Sequence, residues 1–324
     1  MAADEPERLS VIVPVYNEES NLSEFADALL AVLDDLENPA EVIFVNDGSD
    51  DGSADLLDEM AGKSSMIKVV HFRRNFGQTA AMMAGLDFSS GDIIVPIDAD
   101  MQNDPRDIPK LLDRLGEGYD LVSGWRKNRK DDTLRRNLPS WVANRLISKI
   151  SGVKLHDYGC TLKAYRRSVI EDVRLYGEMH RFLPIYASWA GARTTELPVT
   201  HHPRTGGESK YGLERVLKVP LDLIVVKFLS DYSQKPIYVF GGFGLFSHLL
   251  ALITFVVMVY LKYWGGKSFI ETPLPILAAL FVIMGVMSML MGLIAELTVR
   301  TYHESQDKRT YSVKKTINFD DGNQ

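Results

Sequence analysis

In the first 125 residues, short unbroken apolar runs alternate with polar stretches of helical periodicity. LSVIVPVY (Leu9–Tyr16), EVIFV (Glu41–Val45), MIKVVHF (Met66–Phe72) and DIIVPID (Asp92–Asp98) are rich in β-branched residues, which predicts strands buried on both faces. Between them, Asn17–Leu36 places Leu22, Phe25, Leu29, Leu30 and Leu33 at helical spacing, and Ser53–Met60, Gln78–Leu86 and Asp107–Leu115 continue the alternation. DLVSGW (Asp120–Trp125) supplies a fifth strand. Strands regularly separated by helices predict an α/β domain with a parallel sheet covered on both sides.

The pattern changes after Trp125. A charged loop precedes LPSWVANRLISKI (138–150), an amphipathic helix with Arg135, Arg136, Arg145 and Lys149 on or near it. Such a helix suits a membrane surface or docking on its own domain. Gly212–Asp231 is amphipathic again and reads as an interfacial helix. It leads into two stretches without formal charge, 236–261 and 272–295, each long enough to cross a ~30 Å hydrocarbon core. The expected organisation is a soluble domain over 1–211, an interfacial region over 212–234, two membrane helices over 235–298 and a polar tail over 299–324. In that tail TYSVKKTINF has the pattern of a late strand. Ser288 and Gly292, four apart in the second span, suit close helix packing and a homo-oligomer.

Charge orients this arrangement. Lys218, Lys227 and Lys235 precede the first span, Arg300, Lys308, Arg309, Lys314 and Lys315 follow the second, and the connecting loop has only Lys262 and Lys267. This excess predicts an inner or plasma membrane protein with the soluble domain and both termini in the cytoplasm. MAADEPERLS lacks the basic and apolar regions of a signal peptide. The lone Cys160 excludes an internal disulfide and suits a reducing compartment. A formal net charge of −7 argues against general nucleic-acid binding.

Candidate chemistry concentrates at predicted strand ends. The two Gly-Lys-Ser triplets lack the earlier glycine of a phosphate loop, and H-E-x-x-H, C-x-x-C and G-x-S-x-G do not occur. The loop after the second strand, VNDGSDDGS, spaces Asp47, Ser49, Asp51, Gly52, Asp55 and Asp58 nearly as an EF-hand does. A calcium-binding, membrane-anchored interaction protein is therefore one reading. A nucleotide loop at a strand's carboxyl end is the other. Against calcium stand the strand-like EVIFV, where an EF-hand has a helix, and Asp58, where it has a glutamate. Farther on, Asp98 and Asp100 form the chain's one D-x-D, directly after an apolar run. Two carboxylates there suit Mg2+ or Mn2+ bridging a diphosphate.

VIVPVYNEE, VNDGSDDGS, RNFGQTAAMMAGLDFSSGDIIVPIDADMQNDP, HDYGCTLKAYRR and PRTGGESKYG, in that order before a two-span tail, resemble the polyprenyl-phosphate glycosyltransferases. These belong to glycosyltransferase family 2, with the bactoprenol glucosyltransferases, undecaprenyl-phosphate formamido-arabinose transferases and dolichyl-phosphate mannose synthases. The resemblance covers nearly the whole chain. It implies a GT-A (Rossmann-like) domain followed by two transmembrane α-helices, and an inverting, metal-dependent transfer of a hexose from a nucleotide sugar to polyprenyl phosphate. By family branch UDP-glucose is the expected donor, with GDP-mannose and UDP-formamido-arabinose open. Pro14, Tyr16, Asn17 and Glu18 would then hold the base and ribose, and Asp47 the base. Asp98, Asp100 and Gln102 would serve ribose, metal and diphosphate. Asp157 matches the acid near the anomeric carbon. Joining an anionic donor to an anionic acceptor also requires cations; Arg126, Arg129, Arg204, Ser209 and Lys210 are the candidates for the acceptor phosphate. A processive polysaccharide synthase shares the first motifs, but its Q-x-x-R-W and additional spans are missing here.

Overall fold

The structure is a computed structural model that describes residues 6–127, 148, 151–173, 175, 179–203, 237–305 and 311–319. Two compact units form: Met1–Leu223 with Arg309–Gln324, and Ile224–Lys308. Of the helix expected over 138–150 only residue 148 is described, and the one expected over 212–231 lies outside the described residues.

The first unit is built on an eight-stranded sheet. Its strands are β1 (Leu9–Val15), β2 (Ala40–Asn46), β3 (Ile67–Phe72), β4 (Ile93–Pro96), β5 (Leu121–Trp125), β6 (Lys163–Arg166), β7 (Thr194–Pro198) and β8 (Val313–Ile317). Its helices are α1 (Glu19–Asp34), α2 (Ser53–Lys63), α3 (Gln78–Phe88), α4 (Ile108–Gly116) and α5 (Leu183–Trp189). The spatial order is β7-β5-β6-β4-β1-β2-β3-β8. Alternation along each strand sorts side chains between two cores. Val11, Val13, Val42 and Phe44 pack with Leu22, Phe25 and Leu29 of α1. Ile12, Ile43 and Val45 point the other way, toward Ala80, Ala81 and Ala84 of α3. Both faces are thus covered, as the unbroken apolar runs predicted.

Strand direction departs from the expectation. β3, β2, β1 and β4 are parallel to one another, whereas β6 runs antiparallel to both β4 and β5. β8 pairs antiparallel with the outer edge of β3. Apolar periodicity reports burial and carries no sign for direction. β6 arrives after a long excursion from β5, so the short right-handed crossover that enforces parallel pairing is not required. β4 is also shorter than DIIVPID. The Ile97 N–H still donates to the Ile12 carbonyl (3.0 Å), but the chain then turns, so Asp98 and Asp100 stand on a loop.

The second unit contains α6 (Ile237–Tyr263) and α7 (Leu274–Ser305). Within them Val239–Tyr263 and Leu274–Ala295 are long and apolar enough to cross a membrane, with mean hydropathies of 2.2 and 2.5. Their packing is the reverse of a soluble core. Gly244, Ser247, Ala251 and Thr254 of α6 are buried, as are Gly285 and Gly292 of α7, while Phe243, Leu249, Phe255, Leu280 and Ile283 are exposed. A Cβ at Gly244 would stand 2.9 Å from the Gly285 carbonyl, so the backbones approach where no side chain fits. The Ser288 hydroxyl donates to the Phe240 carbonyl (2.8 Å). Small residues at the seam and large apolar residues outside are what helix pairing in lipid requires; in water that outer surface would be costly. Ser288 and Gly292, expected to allow close helix packing, do so here within the hairpin itself.

Glu41 fastens the amino-terminal end of the sheet. Buried, its carboxylate accepts from the Ser10 hydroxyl (2.5 Å) and from the Ser90 N–H (2.7 Å) and hydroxyl (2.9 Å), and pairs with Lys68 (2.7 Å). Burial alone would raise its pKa, but Lys68, Ser10 and Ser90 outweigh it and hold the carboxyl below the usual carboxylate value. A depressed pKa contributes stability above the unfolded value and loses it as pH falls through the folded one. Glu41→Gln should therefore destabilise the first unit by about 2 kcal/mol near pH 7, read as a lower thermal midpoint. The gap to the unaltered protein should narrow below about pH 4; a gap independent of pH would show that the charge is not what matters.

Candidate active site

The loop after β2 is shaped by the turn after β1. The Asn17 N–H donates to the Ser49 hydroxyl (3.0 Å), and the Asn17 Oδ1 accepts from the Asp50 N–H (2.9 Å). Glu18 N–H donates to the Ser53 hydroxyl (3.1 Å), and its carboxylate accepts from Asn21 (2.9 Å). Asp51 accepts from the N–H groups of Glu19 (3.2 Å) and Ser53 (3.0 Å). The acidic cluster thus starts helices α1 and α2, and β2 occupies the place of the helix that an EF-hand needs. The EF-hand reading of this loop is thereby corrected. Asn17 holds φ at +55°, an uncommon backbone state for a non-glycine residue. Gly48, at φ +69°, lies so close to Arg74 that a Cβ would stand 2.4 Å from the Arg74 carbonyl carbon. Pro14 lies in β1, opposite Val45.

Asp47 does not present an open carboxylate. It is buried, and its two oxygens accept from the N–H groups of Phe76 (2.7 Å) and Gly77 (2.9 Å). Burial pushes its pKa up, against the pull of those donors and Arg74. Its structural work is to hold the turn into α3. The first residue of α3, Gln78, then donates from Nε2 to the Asp98 Oδ1 (2.8 Å). One path of bonds therefore joins the loop after β2 to the D-x-D.

Asp98 and Asp100 are both half-buried. The second oxygen of Asp98 accepts from the Thr161 hydroxyl. Asp100 accepts from the Gln102 N–H through Oδ1 (3.1 Å), and its Oδ2 has no hydrogen bond among the described residues. Met101, between them in the turn, has φ +59°. Burial, then the like charge of Asp100, raises the pKa of Asp98 to about 6 despite Thr161, Arg126 and Lys163. A cation bound beside the two carboxylates would relieve that imbalance. Among the described residues no group of three or more His, Cys, Asp or Glu side chains is set to hold a metal. The donor set fits an ion that takes one or two carboxylates and completes its shell with phosphate and water oxygens.

The acceptor-side candidates Arg126 and Asp157 form one bidentate pair, Nε to Oδ2 at 2.7 Å and Nη2 to Oδ1 at 3.0 Å, with Asp157 buried and Arg126 half-buried. The Gly159 N–H also donates to Asp157 (3.1 Å). Burial opposes the charge on Arg126, but Asp157 more than offsets it, and the guanidinium pKa rises. Nη1 of Arg126 makes no hydrogen bond among the described residues. Beneath this turn Lys163 is buried and donates to the carbonyls of Cys160 and Tyr158 (3.3 Å for the latter). Thr161, Lys163 and Gln78 escaped sequence reasoning, although all three sit inside the motifs quoted for the resemblance.

Arg129, Arg204, Ser209 and Lys210 lie outside the described residues. The approach to Arg204 is described, however. Thr200 N–H donates to Asp107 (2.6 Å), the His202 N–H donates to the Gln102 carbonyl (2.9 Å), and His201 bridges Asn103. The strand-like segment ending at Pro203 therefore runs beside the loop that carries Asp100 and Gln102.

A family model described as glycosyl transferase family 2 matches residues 10–174, which span β1 through β6 and include every acid described above. The chain belongs to glycosyl transferase family 2. It is similar to a dodecaprenyl-phosphate galacturonate synthase from Rhizobium johnstonii, 40% identical over 320 residues that cover 98% of this chain and 94% of the relative. It is also similar to an undecaprenyl-phosphate 4-deoxy-4-formamido-L-arabinose transferase from Pseudomonas paraeruginosa, 36% identical over 311 residues, 95% of this chain and 90% of the relative. Both are polyprenyl-phosphate glycosyltransferases, as the sequence resemblance implied. Among solved structures, glucosyl-3-phosphoglycerate synthase from Mycobacterium tuberculosis, in complex with Mn2+, UDP and phosphoglyceric acid, superposes with a TM-score of 0.53 at 20% identity. The match covers 69% of this chain and 78% of that one. The mixed sheet is that of the GT-A fold, and the family 2 protein described here is a glycosyltransferase.

The buried pair makes a test of coupling. Asp157→Ala leaves the Arg126 charge unpaired and should destabilise the first unit by about 3 kcal/mol. Combining Arg126→Met with Asp157→Leu should cost clearly less in stability, while neither variant turns over. Equal and additive losses in a double-mutant cycle of denaturation midpoints would show that the two side chains do not depend on each other.

Proposed function

We propose that this glycosyltransferase transfers a sugar from a nucleoside diphosphate sugar to polyprenyl phosphate, with inversion at the anomeric carbon. The observation that carries the reading is the meeting of two charge systems through β4 and β6. An acid loop suited to a cation and diphosphate is bonded, through Asp98 and Thr161, to the strand region that presents Arg126 and Asp157. Donor and acceptor phosphates repel each other, and this arrangement supplies compensation for both.

Asp100, with its uncommitted oxygen, would hold a Mg2+ or Mn2+ ion, with Asp98 and Gln102 around it. When bound, such an ion offsets charge on the departing nucleoside diphosphate. Asp98 orients the loop through Gln78 and Thr161. Tyr16, Asn17, Glu18 and Pro14 are assigned to the nucleoside, and Asp47 shapes that end by fixing the turn into α3. The lipid phosphate has a second pKa of about 6, so near neutral pH it attacks largely as a dianion and needs no strong base. Asp157 is suited to a different task. Locked by two bonds, it orients Arg126, whose Nη1 makes no hydrogen bond among the described residues and is offered to an anionic oxygen. Arg129, Arg204, Ser209 and Lys210 are assigned to the acceptor phosphate as well; the course of Thr200–Pro203 beside Gln102 supports this for Arg204.

A membrane-held acceptor fits the two apolar helices. β8 pairs with β3 after the second span, and two spans return the chain to the side it left. The lysine and arginine excess around both flanks supports a cytoplasmic location for that side. The two relatives carry galacturonate and formamido-arabinose in their names, so a nucleotide-linked galacturonate displaces UDP-glucose as the first donor to try.

Purified protein with undecaprenyl phosphate, Mn2+ or Mg2+ and labelled UDP-galacturonate, UDP-formamido-arabinose, UDP-glucose or GDP-mannose should give lipid-extractable label with one of them. Asp100→Ala should lower kcat by at least about 100-fold, and a chelator should abolish turnover. No label with any donor would overturn the function, and chelator-insensitive turnover would overturn the metal's role.

A further inference from the structure

The strand that follows the membrane hairpin has an irregular register. His71 pairs with Lys315, yet Phe72 pairs with Val313, so Lys314 is an extra residue in the ladder. A bulge of this kind turns a side chain out of the regular alternation, and bulges are frequent beside active sites. Here the turned side chain borders a cavity of about 320 Å3 at the carboxyl ends of β2 and β3. Tyr16, Asn46, Ser49, Arg73, Arg74 and Lys314 are among its lining residues. The volume is in the range of small-molecule sites. An aromatic ring, amide and hydroxyl groups and three cations against one carboxylate, Asp50, suit a ligand that is planar in one part and anionic in another, which is the chemistry of a nucleotide.

The neighbouring lysine is tied to the same place by bonds. Lys315 Nζ donates to Asp58 Oδ2 (2.8 Å), and Asp58 Oδ1 meets His71 Nε2 (2.9 Å). His71 Nδ1 lies 3.0 Å from Asn46 Nδ2, and Asn46 Oδ1 accepts from the Ser49 N–H (3.0 Å). With Asn46 donating to Nδ1, the ring proton sits on Nε2 and is donated to Asp58. Ser49 in turn accepts from the Asn17 N–H. A continuous path therefore runs from β8 through α2 and β3 to the turn after β1.

We infer that β8 is part of the donor site. Lys314 binds the nucleotide of the donor directly, and Lys315 is a positioning residue that holds the loop after β2 through Asp58, His71 and Asn46. The inference rests on the nucleotide reading above. The alternative role for lysines on an outer strand is to keep a sheet edge solvated and unpaired, which would leave nucleotide affinity untouched.

Calorimetric titration of UDP, and of GDP, into the full chain in detergent micelles separates these outcomes. Lys314→Ala should weaken binding of the preferred nucleotide about tenfold, the scale of one charged hydrogen bond. Lys314→Arg should remain within about threefold, because it keeps the charge, and the thermal midpoint of both should match the unaltered protein. In turnover assays Lys315→Ala should raise the donor KM while kcat stays within about twofold, the pattern of lost binding without lost chemistry. If Lys314→Ala binds as tightly as the unaltered chain, the assignment of Lys314 is overturned and the nucleotide reading stands. If the unaltered chain binds neither UDP nor GDP, both fall together.

Discussion

Two like charges, Asp98 and Asp100, must be held side by side at the end of β4, and much of the catalytic unit is organised around that constraint. Left alone, neighbouring carboxylates in a half-buried loop repel, and that repulsion adds to burial in raising the pKa of Asp98. The surrounding structure opposes the repulsion without removing it. Gln78 and Thr161 engage the oxygens of Asp98 from α3 and from the chain entering β6, while the positive charges of Arg126 and Lys163 favour its charged form. Asp47 contributes at one remove, by pinning the turn from which Gln78 projects. The antiparallel placement of β6 between β4 and β5 is what brings Thr161 and the Arg126–Asp157 pair to this loop.

Much of this was legible in the sequence. Unbroken β-branched runs gave the central strands within one residue at each end, because burial on both faces leaves no other composition. The exception is β4, which ends at Pro96 because the turn holding Asp98 begins there. The late strand in TYSVKKTINF was legible as well. Strand direction was not, since apolar patterning is the same for β6 whichever way it runs. Local motifs marked Asp98, Asp100, Arg126 and Asp157, but the pairing of the last two spans β5, β6 and the long segment between them. Asp47 shows the limit most clearly. Its position at a strand end suggested a ligand contact, and its bonds to the N–H groups of Phe76 and Gly77 were illegible because backbone donors carry no side-chain signature.

The hairpin of α6 and α7 illustrates how the same residues mean different things in different solvents. A seam of glycine, serine, alanine and threonine beneath an outer surface of phenylalanine, leucine and isoleucine gains little in water and much in lipid. The polar tail beyond it returns to the catalytic sheet as β8 and covers the edge of β3. The membrane-spanning segment is thus an insertion within one sheet's sequence, bounded on both sides by residues of the glycosyltransferase unit.

Because the acid loop offers too few protein ligands to hold a cation alone, occupancy should depend on the diphosphate of the donor. Electron paramagnetic resonance of Mn2+ titrated into the full chain, with and without UDP, tests this most directly. Loss of the free-ion signal only when UDP is present, and no loss in Asp100→Ala, is the expected result. A free-ion signal indifferent to UDP, or equal binding without any nucleotide, would contradict it.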